Sequence, residues 1–134
     1  MIVPRAQANY ILSLSALSFL SGAYGVCQGH HVYGTIPLSV GLTTLLFWSH
    51  PVAGWRRWLD IAVSMTGAAF LLVAAADAEN RTPYYALKLA AMACYPVGHY
   101  WHNRGFVWRG TLWHGGIHIL GNLANAVLYS GRIH

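Results

Sequence analysis

His114, His118, Asn122, Asn125 and Tyr129 recur at steps of four, four, three and four near the C-terminal end of the chain. At about 3.6 residues per turn they fall on one helical face. The residues around them, from Thr111 to Ser130, are mostly Leu, Ile, Val, Ala and Gly. Two imidazoles one turn apart in so apolar a segment are costly unless the protein uses them. Imidazole is also the commonest metal ligand in proteins. The stripe therefore predicts a buried metal or cofactor site.

Other residues with matching chemistry gather at the same end. His50 closes the second apolar segment, Asp60 opens the third, His99 and His102 close the fourth, and His114 and His118 open the fifth. An up-and-down path thus brings five of the eight histidines and one of the three acids to similar depth. Catalytic zinc often takes three protein ligands and a water, which it acidifies. His114 and His118 can reach one ion, and His50 can supply a third ligand from a neighbouring helix. Asp60 is the candidate catalytic residue, placed to orient a ligand, to act on a bound water or to bind the metal itself. Ser64 lies one turn from Asp60, and Ser39 and Thr43 share a face with His50, so these side chains can line a polar cavity.

The elements that must hold these residues are apolar helices. Five segments emerge, at about 10–27, 32–50, 58–76, 84–102 and 112–130. Each is about long enough to cross ~30 Å of hydrocarbon. The chain is 56% hydrophobic and 8% charged, with a mean hydropathy of +0.42. A soluble domain carries roughly 25% charged residues. The expected architecture is all-α, a polytopic membrane protein whose residues 1–134 form a single five-helix bundle. The first apolar run is too long for a cleavable leader. Cys27 and Cys94 have no metal spacing and fall at different depths, which argues against a disulfide. Ser18, Ser21, Gly22 and Gly25 predict close helix packing. Pro96 predicts a kink in the fourth helix, and His30, His31 and His134 are read as solvated.

Charge and aromatics sort to two sides. Arg5, Arg56, Arg57, Arg104 and Arg109 lie on the side of the N-terminus, with all six tryptophans, whereas Arg81, Lys88 and Arg132 lie toward the other side. With short loops, the excess of arginine places the N-terminus in the cytoplasm or an equivalent matrix. The net charge of +5 comes from scattered residues. No basic cluster with interleaved aromatics points to nucleic acid, so the expected partners are membrane lipid and other membrane subunits.

Trp113-His-Gly-Gly-Ile-His-Ile-Leu-Gly-Asn-Leu-Ala-Asn-Ala-Val-Leu-Tyr129 resembles the last helix of the CREST superfamily, the group of alkaline ceramidases, adiponectin receptors and hemolysin III-like proteins. Ser49-His50 followed by Arg57-Trp-Leu-Asp60 is similar to that family's earlier helix end and the aspartate after it. The family has seven helices; five preserve the relative direction of the helices bearing His50 and His118. The resemblance implies zinc held by His50, His114 and His118, with Asp60 nearby, and hydrolysis of a lipid amide or ester. A second class stays open: an accessory membrane subunit of a respiratory, ATP-synthase or photosynthetic complex. His50-Pro-Val-Ala-Gly54-Trp-Arg56 is similar to the HxxxGxR stretch of succinate dehydrogenase anchors. That likeness makes haem b the alternative cofactor.

Overall fold

The computed structural model describes residues 3–134, and every long element among them is α-helical. The helices are α1 (Arg5–Leu14), α2 (Ala16–Cys27), α3 (His31–Trp48), α4 (Trp55–Ala74), α5 (Arg81–Asn103) and α6 (Val107–Tyr129). A 3-10 turn, Ala75–Asp77, extends α4. Two helical stretches, Arg5–Cys27 and Trp55–Asp77, are long and apolar enough to cross a membrane.

The first apolar segment differs from expectation at both its start and its middle. The helix begins at Arg5 rather than Tyr10, because Gln7 and Ala8 are buried and Ala8 packs with Ile11, Phe47 and Trp48. Hydropathy marks only the apolar part of a helix, not its polar first turns. At Ser15 the helix breaks. The Ser15 hydroxyl donates to the Leu12 carbonyl at 2.6 Å. Its backbone N–H is shared between the carbonyls of Ile11 and Leu12, at 3.2 and 3.1 Å. A serine hydroxyl that bonds back to the preceding turn competes with the regular ladder and bends it. By contrast, α3 and α5 remain continuous through Pro37 and Pro96.

The loops gather at two ends, as an up-and-down path requires. At one end the Arg5 guanidinium donates to the Ser49 carbonyl at 2.9 Å, tying the start of α1 to the end of α3. At the other, Arg132 pairs with Glu79 at 2.8 Å, and Ala78 and Ile133 form an isolated antiparallel bridge. The backbone N–H and the side chain of Arg132 hold the Glu79 carboxyl below its usual range. His30 is not the solvated side chain expected. Its Nε2 lies 2.9 Å from the Gly131 carbonyl, to which it donates, and its ring lies tilted against Tyr129, with centroids 6.0 Å apart.

Packing centres on α6, which lies against α5, α2 and α1, while α3 lies against α2 and α4. The closest helix contacts are made by small residues, beside larger buried side chains such as Tyr84, Tyr129, Leu71 and Leu128. Ser18, Ser21, Gly22 and Gly25 of α2 are all buried. Gly22 and Gly34 face each other so closely that a Cβ on either would stand 2.8 Å from the other's carbonyl oxygen. Gly98 and Gly110 repeat the arrangement between α5 and α6, at 3.1 and 2.9 Å. Such backbone approach is available only to residues without a side chain.

Gly34→Val and Gly98→Val should each destabilise the protein by about 1–3 kcal/mol through overpacking. Gly121→Ala, where the added methyl meets nothing within 4 Å, should be neutral or stabilising. Thermal unfolding of the three variants in detergent tests this; equal melting temperatures for all three would refute the close-packing account.

Candidate functional site

At the arginine-rich end, α1, α3, α4, α5 and α6 enclose a cavity of about 410 Å³. Asp60, His99, His102 and His114 line it, with Arg57 at its rim and Tyr95 beside His99. The Tyr95 and His99 rings are stacked, 10° from parallel. Asp60 does not pair with Arg56 or Arg57. Its Oδ1 accepts hydrogen bonds from the hydroxyls of Thr43 at 3.0 Å and Thr44 at 3.1 Å, both on α3. The carboxylate is therefore fixed from the neighbouring helix with its other oxygen left for the cavity. A fixed carboxylate among imidazoles can exchange protons with a bound molecule and accept its hydroxyl or amide hydrogens.

A second cavity, of about 200 Å³, lies deeper between α2, α3, α4, α5 and α6. Ser18, Ser64, Lys88, His118, Asn122 and Asn125 contribute its polar atoms. The histidine pair is divided between the two spaces. His114 lines the end cavity and His118 the deeper one, with their ring centroids 5.4 Å apart. Asn122 is a structural brace as well as a lining residue. It accepts from the Ser21 hydroxyl at 2.7 Å, donates to Ser18 Oγ at 3.3 Å and donates to the His118 carbonyl at 2.7 Å.

The structure thus unites Asp60, His99, His102 and His114, but His50 stands apart. It is exposed on the loop after α3 and lines neither cavity. The physical reason is that α3 ends at Trp48, ahead of Pro51, and the Trp48 ring occupies the place beside His114, with centroids 5.3 Å apart. Among the described residues no three His, Cys, Asp or Glu side chains come together as a metal site. His50 is therefore not gathered with His114 and His118 in this arrangement. Tyr129 also lies outside the cavities: it is buried, and its hydroxyl donates to the Tyr33 carbonyl at 2.9 Å. Ser39 turns its hydroxyl to the Thr35 carbonyl on the exposed side of α3. Cys27 and Cys94 are free thiols.

Sequence reasoning missed two participants. Trp48 read as one more interfacial aromatic, yet it is 8% exposed and packs on His114. Lys88 read as a residue near the far side, yet it is buried in the bundle. The signal for Lys88 was available: it stands within an otherwise apolar helical run, two turns inside Arg81. No family model matches the chain, and no curated protein or solved structure matches it either.

Replacing Thr43 and Thr44 together by Val should cost about 1–3 kcal/mol, since each lost hydrogen bond contributes roughly 0.5–1.5 kcal/mol. Asp60→Asn keeps an accepting oxygen for both threonines and should cost under ~1 kcal/mol. Chemical unfolding curves decide the matter; an Asp60→Asn protein less stable than the double threonine variant would contradict these bonds.

Proposed function

We propose that the chain is an integral membrane protein of five spans whose arginine-rich end binds the polar head of a lipid or other amphiphile. The observation that carries this is the outward surface. On α4, Trp58, Met65 and Val73 are 66%, 67% and 76% exposed. Comparable exposure recurs at Leu20, Leu42, Leu89 and Leu123 on four other helices. An apolar surface of that extent on every side of a monomer fits hydrocarbon rather than water. Trp55, Trp108 and Trp113 are exposed at the end that also carries Arg56, Arg57, Arg104 and Arg109, the pattern of a membrane interface on the cytoplasmic or matrix side. The end cavity then opens at head-group depth, where Asp60, His99 and His102 offer acceptors and donors and Arg57 offers positive charge.

Topology is tested with single cysteines in a Cys27→Ser/Cys94→Ala background, at position 5 or position 132. Labelling from opposite sides of sealed vesicles is expected, with position 5 on the cytoplasmic side. Labelling of both from one side would mean an even number of spans and would end this reading.

A second reading keeps the adjacent imidazoles of His114 and His118 as metal ligands in a zinc-dependent lipid amidase or esterase, as the resemblance to the CREST superfamily implies. The separation of their rings, 5.4 Å between centroids, supports it. His102 and His99 line the same cavity as His114 and are the further imidazoles of this reading. Under this reading the purified protein contains zinc. The His114→Ala/His118→Ala variant loses it, with affinity falling by at least ~10-fold, the scale of even outer-shell changes. Zinc-free wild-type protein would remove the reading. A Soret band lost in the same double variant would replace it with haem in a membrane subunit.

A further inference from the structure

The deeper cavity holds the only lysine of the chain, and no acid accompanies it. Lys88 is 9% exposed. Its Nζ lies 3.5 Å from Asn125 Oδ1 and 5.8 Å from the centre of the Tyr84 ring. An ammonium has three protons to donate, and one long bond with a ring face leaves it poorly compensated. Among the described residues the one ion pair is Arg132–Glu79, on the surface at the far end of the bundle. A buried cation without a counter-charge is costly. A ligand carrying that charge relieves the cost.

The other polar groups on this cavity are suited to the same ligand. Asn125 turns its Oδ1 to Lys88, which leaves its amide hydrogens free for the cavity. Asn122 uses both amide hydrogens within the protein, so it fixes Ser18 rather than competing for a ligand. The hydroxyls of Ser18 and Ser64 complete the set. These are donors around a positive charge, the complement of an anion. The remaining wall is apolar, with Ile36, Val40, Met65 and Leu71 on α3 and α4. The flanking helices α4 and α5 pack mainly elsewhere, α4 on α3 and α5 on α6, and meet through Tyr85 and Leu72 toward the far end. The cavity therefore has an apolar flank between them.

We propose that this cavity binds a carboxylate borne on an apolar chain, its head group held by Lys88, Asn125 and Ser64 and its chain leaving between α4 and α5. The chemical class is that of a long-chain fatty acid. The charge pairing stands on the cavity alone, whereas the exit of the chain into hydrocarbon rests on the five-span reading above.

The test is equilibrium binding of radiolabelled palmitate to the full-length protein in detergent, with acetate and chloride as competitors. Saturable binding is expected, and Lys88→Met should weaken it by at least ~10-fold, as for truncation of one member of a buried charge pair. Asn125→Asp sets a carboxylate against the ammonium and should block binding just as strongly while retaining the cation. Arg132→Gln, which removes an exposed cation, should leave binding unchanged. Circular dichroism confirms that each variant is helical. Should either variant fail to fold, the other carries the test. Equal affinity in Lys88→Met and the wild type, or no saturable binding at all, would refute the site. Competition by acetate or chloride as effective as palmitate's own would refute the apolar chain. Because the assay is done in detergent, its failure is separate from any failure of the vesicle labelling.

Discussion

Two pairs of glycines set the geometry on which the remaining structure depends. Gly22 against Gly34 and Gly98 against Gly110 let the backbones of α2 and α3, and of α5 and α6, approach more closely than any side chain permits. Such contact brings dispersion between backbones that side chains would otherwise hold apart. Once these two pairs are fixed, α6 sits between α5 and α2, and its polar stripe has to face inward. Leu71, Leu128, Tyr84 and Tyr129 still fill a core at one end, while many other large apolar side chains stand outside.

Polar groups inside the bundle join one helix to the next. Asn122 joins α6 to α2 through Ser18 and Ser21. Thr43 and Thr44 hold Asp60 of α4 from α3. Tyr85 donates to the Leu72 carbonyl at 2.7 Å, tying α5 to α4 near the end where Tyr129 ties α6 to α3. Each bond crosses a helix boundary, and an unmade one inside such an assembly would leave a polar group without water. The bonds therefore fix rotation and register of helices whose apolar contacts alone would allow sliding.

Much of this was readable from composition and spacing. The all-helical architecture followed from five apolar runs separated by Pro, Gly and polar residues, and the helix limits agree to within a few residues at most ends. The clustering of Asp60, His99, His102 and His114 followed from helix direction alone. What periodicity does not carry is which side of a helix end survives. His50 was two residues past the last turn of α3, where Pro51 and the bulk of Trp48 decide placement. The break at Ser15 was equally hidden, because it depends on a hydroxyl choosing the Leu12 carbonyl over solvent. Spacing puts Lys88 within the fourth helical segment but toward its far side; which face of α5 turns inward, and hence its burial, is set by packing that spacing does not show.

The placement of the interior charges carries the argument furthest. Asp60 is the one acid within the α-helices, Lys88 the one lysine, and each lines a different cavity. They form no ion pair with each other or with any arginine among the described residues. Two separated, partly compensated groups stabilise a bundle less than one pair would, and less again than apolar residues of similar size. Stability alone therefore does not account for them. Between them run His114 and His118, one ring facing each cavity at 5.4 Å. The arrangement gives the bundle an acceptor site at its arginine-rich end and a donor site at its centre, joined by two imidazoles that can serve either.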